Sequence, residues 1–200
     1  ADTGFTITPT TGLVTTEAGG TATFTVALTH EPVADVVIPV ESSNVAEGIV
    51  SASSLTFTTA DWSVPRTVTV TGVDDAVVDG NIAYTVVLGL AASADPSYAG
   101  LDPSDVSVTN NDNDVAGFTV TPTVGLVTTE AGGTATFTVQ LRSRPMGSVM
   151  IPVASSNTAE GGTATTGLTF AAGNWNTPQT VTVTGVDDFV KDGNIVYTVV

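Results

Sequence analysis

The segment Thr21–Leu28 reads Thr-Ala-Thr-Phe-Thr-Val-Ala-Leu and alternates small or polar residues with apolar ones. Its even-numbered positions are apolar, whereas three of its four odd-numbered positions are threonine. A period of two residues is typical of a β-strand with one buried face, and threonine, valine and phenylalanine all favour strands. The segment therefore predicts a strand whose even-numbered side chains face a core.

The same alternation recurs along the chain, and no convincing period of 3.6 residues interrupts it. Turn signals such as Ala18-Gly19-Gly20 and Asp79-Gly80-Asn81 separate the alternating segments. Seven strands are predicted in the first half of the sequence: Phe5–Pro9 continuing through Leu13–Thr16, Thr21–Thr29, Val36–Glu41, Leu55–Thr58, Arg66–Val73, Ile82–Leu90 and Asp105–Thr109. We predict an all-β fold of tandem immunoglobulin-like Greek-key sandwiches, although periodicity alone does not distinguish a sandwich from a barrel.

An internal repeat divides the chain. A shift of 113 residues aligns Gly4 with Gly117 and continues without a gap to Val87 against Val200, with about 56 of these 84 pairs identical. We predict one complete domain, 1–113, and a second repeat, 114–200, that stops before its last strand. A sandwich without that strand has an open edge, so we expect a fragment of a longer repeat array; the alternative is a strand donated by another chain.

The composition favours bound cations over nucleic acid or membranes. The formal net charge is -16, from 20 acidic and 4 basic residues, and there is no cysteine. Strong negative charge disfavours nucleic acid and anionic lipid, and the oxygen ligands that remain suit calcium or magnesium. No apolar run is long enough to span a bilayer, and the first residues do not resemble a signal peptide. We expect no membrane insertion in this segment, and any export signal to lie outside it.

Patterned acidic residues are expected to meet at one end of the first domain. If the strands alternate in direction, the loops after the first, third and fifth strands and the tail after the seventh share one end of the sandwich. These loops carry Glu17, Asn44, Glu47, Asp74, Asp75, Asp79, Asp112, Asn113 and Asp114. Because so many carboxylates would repel one another, we expect a cation among them and folding coupled to its binding.

Three segments resemble the calcium-binding loops of the Calx-beta family: 16–20 (TEAGG), 73–80 (VDDAVVDG) and 112–117 (DNDVAG). The resemblance covers essentially the whole of each repeat. It implies calcium ligands at Glu17, Asp74, Asp75, Asp79, Asp112 and Asp114, at the backbone oxygen of Val77, and at Asn113, where the family often has an acid.

In the second repeat the resemblance points to Glu130, Asp187, Asp188, Val190 and Asp192 as the matching ligands, but the terminal acidic triplet is absent. A second calcium site is therefore expected to be weak. The family's acid in the loop after the third strand has no counterpart in register, and Glu47 or Glu160 stands in for it only approximately.

Other motifs have structural interpretations. An EF-hand is excluded because Asp112-x-Asp114-x-Ala116 has alanine at the fifth position, and the RTX nonapeptide pattern is absent. Tyr84 and Tyr197 are interpreted as tyrosine corners, whose hydroxyls bind backbone, and Trp62 and Trp175 as caps on the core rather than sugar platforms. With a single histidine and no plausible nucleophile and base, the chain is not expected to be an enzyme.

The functional expectation is a calcium-binding structural repeat of a bacterial surface or secreted adhesin-like protein. Its partners would be calcium, neighbouring repeats and, in a filament or surface layer, identical chains. Because few residues join the repeats, calcium bound at the joint is expected to stiffen the array. The alternatives are a filament or surface-layer subunit, and a glycan- or protein-binding module that uses an exposed loop such as Ala91–Leu101.

Overall fold

The computed structural model describes residues 3–191 and 193–200. The chain divides into two compact units, the first comprising Ala1–Asp75 and Asp79–Asn113, the second Ala76–Val78 and Asp114–Val200. In the described part of the chain, no helix has the length and hydropathy needed to cross a membrane.

The described residues of the first unit form ten strands in two sheets. They are β1 (Phe5–Thr8), β2 (Leu13–Thr16), β3 (Thr21–Leu28), β4 (Val36–Ser42), β5 (Gly48–Val50), β6 (Ser54–Phe57), β7 (Arg66–Gly72), β8 (Ile82–Leu88), β9 (Ala92–Ser93) and β10 (Val106–Asn111). One sheet has the order β1-β3-β7-β5, and the other has the order β2-β10-β8-β4-β6 with β9 also paired to β4. This arrangement confirms the predicted immunoglobulin-like sandwich.

Both sheets contribute to one core. Phe24 and Val26 of β3 are 1% and 0% exposed, and Val86 of β8 and Val106 of β10 are 0% exposed. The even-numbered face of Thr21–Leu28 carries the buried residues from Phe24 onward, as the alternation predicts. Trp62 packs against the edge of this core, in agreement with its interpretation as a cap.

The first strand is not continuous. We predicted one strand from Phe5 through Thr16, but β1 pairs with β3 in one sheet and β2 pairs with β10 in the other. Between them Pro9 has no amide proton to donate, and Gly12 adopts a positive φ of 78° that favours glycine. The chain therefore changes sheets at this point.

In the second unit, the part of the chain that the structure describes forms six strands: β11 (Phe118–Thr121), β12 (Thr134–Leu141), β13 (Val149–Pro152), β14 (Gly161–Thr163), β15 (Gly167–Phe170) and β16 (Gln179–Gly185). One sheet has the order β11-β12-β16-β14, and β13 pairs only with β15. A smaller core forms around Val139, Phe170 and Val181, with Trp175 packed against it. The described segment 193–200 has no strand and forms only the bridge between Ser155 and Val199.

Tyr84 and Tyr197 are anchored by their hydroxyls, as predicted, but the predicted hydrogen-bond partner was wrong. The Tyr84 hydroxyl lies 3.4 Å from Thr15 Oγ1, and the Tyr197 hydroxyl lies 2.7 Å from Thr128 Oγ1, so both meet a threonine side chain rather than backbone. The tyrosine that binds backbone is Tyr98, whose hydroxyl donates to His30 O at 2.6 Å. Its position in the loop 91–101 gave no sequence signal for this role.

Arg66 and Asp61 form an ion pair in the first unit, and the guanidinium also lies 5.4 Å from the centre of the Phe57 ring. Hydrogen bonds from Thr58 and Arg66 lower the pKa of Asp61 from 3.8 to about 2. Because the pKa of Asp61 is lower in the folded protein than in the unfolded chain, the ionised carboxylate stabilises the fold at pH values above 3.8. This contribution to stability is lost as the pH falls towards 2.

We expect Asp61→Asn to destabilise the first unit at pH 6, and we expect the difference from wild type to shrink between about pH 4 and 2. Urea denaturation at several pH values measures the two curves. Asn174, the counterpart in the second unit, already carries the amide, so Asn174→Ala serves as a control without pH dependence. A difference for Asp61→Asn that is constant down to pH 2 would show that its charge does not matter.

Candidate metal centre

Parallel pairing of β2 and β10 positions two acidic segments side by side. Thr16 pairs with Asn111 at the end of this ladder, and the Glu17 amide then donates to Asn111 O at 3.1 Å. Glu17 and Asp112 therefore leave the sheet at the same end. The loop 73–81, which follows β7, reaches this end as well, because the Gly80 amide donates to Asp112 Oδ2 at 2.8 Å.

Three carboxylates form the centre of this acidic end. Each of Glu17, Asp112 and Asp114 offers an oxygen, and these oxygens lie within 4.8 Å of one another. Glu17 is only 3% exposed, and its Oε2 accepts a hydrogen bond from the Asn113 amide at 3.0 Å. A buried carboxylate beside two others is an arrangement that a hard cation stabilises.

The remaining predicted ligands of the first repeat lie less centrally. Asp74 is exposed and accepts a hydrogen bond from Asn113 Nδ2 at 3.3 Å, which attaches it to the same loop end. Asp75 and Asp79 are exposed and do not belong to the three-carboxylate cluster. The Val77 side chain is 8% exposed, and the segment Ala76–Val78 groups with the second unit.

A buried polar network supports the acidic end from beneath, and Asn110 is its centre. Asn110 is 1% exposed; its Oδ1 accepts from Thr15 Oγ1 at 2.9 Å, and its Nδ2 donates to Glu47 Oε2 at 3.2 Å and to Val73 O at 3.1 Å. Burial raises the pKa of the Tyr84 hydroxyl, and the charge of Glu47 contributes in the same direction. The network joins β10, β2 and the start of the acidic loop 73–81.

Sequence reasoning missed Asn110 and Thr15, although a signal was present. Val106, Val108 and Asn110 share one face of β10, so the asparagine occupies a core position in the alternating pattern. A polar residue at such a position requires buried partners. Glu47, which we considered only an approximate ligand, is 8% exposed and contacts this network.

We expect Asn110→Leu to destabilise the first unit by about 1–3 kcal/mol, because it leaves buried Thr15, Glu47 and Val73 groups without a hydrogen-bond partner. Urea denaturation followed by the fluorescence of Trp62, in a Trp175→Phe background, measures the change. The surface replacement Asn113→Leu is the control and should cost less. Equal effects of the two replacements would contradict a supporting role for the buried network.

The described residues of the second unit do not come together as a matching carboxylate cluster. Glu130 is exposed where Glu17 is buried, and the segment after β16 makes local turns in which Asp187 accepts from the Phe189 amide and Asp188 from the Val190 amide. Val190 is 56% exposed. Asp192 lies outside the described residues, so its predicted role stays a prediction.

Comparison with known proteins returns distant structural similarities. No family profile matches the chain, and no curated protein matches it. The chain is similar to CBD12 from CALX1.2, with 18% identity, a TM-score of 0.43 and coverage of 98% of this chain and 78% of that one. It is also similar to the calcium binding domain CBD12 of CALX1.1 (18% identity, TM-score 0.43, coverage 92% and 76%) and to the periplasmic chaperone SfaE (10%, 0.43, 98% and 98%). Because the TM-scores and identities are this low, these similarities alone carry no inference about function.

Proposed function

We propose that the first unit, together with Asp114, the residue that directly follows it in the chain, is a calcium-binding β-sandwich module. The observation that carries the proposal is the meeting of Glu17, Asp112 and Asp114, from two separate strand ends, with their oxygens within 4.8 Å. At an effective dielectric constant near 20, two ionised carboxylates at this separation repel by about 3 kcal/mol. A divalent ion with oxygen ligands removes this repulsion, and the flexible coordination of calcium suits ligands drawn from several loops.

The three segments that resemble Calx-beta calcium loops support the same proposal. Two of them, 16–20 and 112–117, supply the clustered carboxylates. The third contains Asp74, which is attached to Asn113 by a hydrogen bond. The ligand set proposed for the first unit is therefore Glu17, Asp112 and Asp114, with Asp74, Asp75, Asp79, Asn113 and the Val77 carbonyl as further ligands once calcium binds.

We further propose that the chain serves as a calcium-stiffened spacer in an extended protein at a bacterial surface or in the extracellular medium. About 56 of the 84 aligned pairs are identical, and the differences fall mostly in 29–37, 49–54 and 58–66, away from the acidic loops. High similarity of the strands and of the acidic loops suits a module whose scaffold and cation-binding end are its function. Millimolar extracellular calcium also suits a module of moderate affinity. No catalytic role is proposed.

A glycan- or protein-binding module stays one alternative, although its loop is partly anchored in the core. We had considered Ala91–Leu101 as an exposed loop that grips a glycan or a protein partner. Instead, Tyr98 is 1% exposed and packs against Phe5, Ala91 is 3% exposed, and Asp95 accepts from the Val33 amide at 2.8 Å. These three buried residues anchor the loop, whereas six others are exposed: Ala92, Ala94, Pro96, Ser97, Ala99 and Gly100. A filament or surface-layer subunit stays an alternative, which concentration-dependent light scattering separates from a monomeric spacer.

Thermal and urea unfolding in chelator and in calcium test the proposed function. If the dissociation constant is about 0.1 mM, then about 10 mM calcium stabilises the first unit by about 2.7 kcal/mol. The melting temperature of the first unit, measured by Trp62 fluorescence in the Trp175→Phe background, should rise by several degrees. Magnesium at the same concentration is the control for general ionic screening. Identical unfolding curves in chelator and calcium would contradict the proposal.

A further inference from the structure

The loop 73–81 contains the dipeptide Asp79-Gly80, one of two Asp-Gly pairs in a chain that has no Asn-Gly pair. An aspartate followed by glycine is prone to isomerisation, because glycine has no side chain to hinder attack of its amide nitrogen on the aspartate carboxyl carbon. Both residues are exposed and lie between β7 and β8, outside any strand. Apart from its chain neighbours, no heavy atom lies within 4 Å of the position that a Cβ of Gly80 would take. The surroundings of the dipeptide therefore leave room for ring closure.

Two hydrogen bonds connect the end of this loop to Asp112, and they run in opposite directions. The Gly80 amide donates to Asp112 Oδ2 at 2.8 Å, and the Asp112 amide donates to Asn81 Oδ1 at 3.1 Å. The first bond holds the nitrogen that would attack the Asp79 carboxyl carbon. It therefore restrains isomerisation, and local opening of the loop releases the reactive amide.

We propose that Asp79 is a site of spontaneous isomerisation to isoaspartate, and that calcium protects it. In the reaction the Gly80 nitrogen forms a bond to Cγ of Asp79 and gives up its proton, and the carboxyl hydroxyl leaves with that proton as water. The product is a five-membered succinimide. Water then opens the ring at either carbonyl, and opening at the main-chain carbonyl gives isoaspartate. One step releases a water molecule and the next consumes one, so no oxidant or other reactant is needed.

Isoaspartate at this position changes the geometry of the acidic end. It carries one additional main-chain carbon before the next amide, and its carboxylate is attached one carbon closer to the main chain. Gly80 and Asn81 then lose the spacing at which both form hydrogen bonds with Asp112. Asp79 and Asp112 both belong to the proposed calcium ligands, so isomerisation weakens the calcium site, a step that rests on the proposed function.

Calcium opposes the reaction because it binds the same groups. Coordination holds the Asp79 carboxylate and restrains the loop against Asp112. If only the calcium-free form reacts, the rate falls in proportion to the calcium-free fraction of chains. With a dissociation constant of about 0.1 mM, about 10 mM calcium slows isomerisation about 100-fold. A chain kept without calcium therefore loses its calcium site progressively and without return.

Ageing of the full 200-residue chain in heavy-oxygen water at neutral pH tests the proposal. Ring opening takes one oxygen from the water, so peptide mapping by mass spectrometry detects every chain that has reacted at Asp79, and an isoaspartyl methyltransferase identifies the isoaspartate. We expect progressive labelling in chelator and about 100-fold slower labelling in about 10 mM calcium. A free peptide of residues 73–83 is the control and should be labelled at the same rate in both solutions.

Two variants separate the chemistry from the restraint. Asp79→Glu keeps a carboxylate but should lose the label at this position, because its longer side chain does not close a five-membered ring. Asp112→Ala removes the acceptor of the Gly80 amide and should be labelled about two- to tenfold faster than wild type in chelator. Equal or slower labelling of Asp112→Ala would contradict the restraint by this hydrogen bond.

The outcomes separate the modification site from the calcium site. Absence of label at Asp79 in chelator, after the free peptide has been fully converted, overturns the modification site. Equal labelling rates in chelator and calcium, together with a calcium-dependent rise in the melting temperature of the first unit, overturn the protection. If calcium produces no such rise, the proposed function and the protection fail together, whereas labelling in chelator still supports the modification site.

Discussion

Replacing Glu17 by glutamine is expected to remove most of the calcium-dependent stabilisation of the first unit, about 2 kcal/mol or more of the roughly 2.7 kcal/mol expected at 10 mM calcium. Glu17 is the most buried member of the cluster at 3% exposure, and it is the one carboxylate of the cluster that follows β2. Glutamine keeps the size and one oxygen but loses the negative charge that calcium requires. Urea denaturation in chelator and in calcium measures the effect.

The second repeat supplies the matched control for this replacement. Glu130 occupies the same position in an identical local sequence, but it is exposed where Glu17 is buried. Glu130→Gln should therefore leave the calcium response of the first unit unchanged. In chelator, Glu17→Gln should be neutral or slightly stabilising, because it removes repulsion between neighbouring carboxylates. An unaltered calcium response in Glu17→Gln would place the ion elsewhere.

The second large effect is expected in the core. Phe24→Ala should destabilise the first unit by about 3–5 kcal/mol, because a side chain that is 1% exposed leaves a cavity between two complete sheets. Phe137→Ala, the same change in the second unit, should cost clearly less because Phe137 is only half-buried against a smaller core. Trp62 and Trp175, observed one at a time in single-tryptophan variants, report the two units separately.

A comparison of the two phenylalanine variants tests the assignment of the cores. Each replacement should shift the unfolding midpoint of its own unit much more than that of the other. Equal losses for Phe24→Ala and Phe137→Ala would contradict the difference in burial. Ile38→Val, which removes one methylene from a fully buried position, gives a smaller loss of about 0.5–1.5 kcal/mol and calibrates the scale.

Alternation of side chains was enough to predict the sandwich and most of its strands. The buried positions of β3, β7 and β8 follow the two-residue period because each strand has one face on the core. The short strands Gly48–Val50 and Ala92–Ser93 were missed, since two or three residues cannot display a period. They are held by pairing with β7 and β4, which is a tertiary effect.

The acidic end was predictable from strand direction, whereas its internal support was not. Counting strands places Glu17, Asp74 and Asp112 at one end. In the structure Glu17 and Asp74 both accept hydrogen bonds from Asn113, and Asp112 accepts one from the Gly80 amide. The sequence could not rank the acids, because burial of Glu17 and exposure of Asp75 depend on packing across loops. Likewise, Asn110 becomes meaningful only when Thr15 and Glu47 lie beside it.

Isothermal titration calorimetry of the intact chain with calcium tests the central claim most directly. We predict a saturable heat with a dissociation constant near 0.1 mM, in the range of extracellular calcium modules, which is lost in Glu17→Gln and retained in Glu130→Gln. The absence of a binding heat at any accessible calcium concentration, together with unchanged hydrogen exchange around Glu17 and Asp112, would contradict the account.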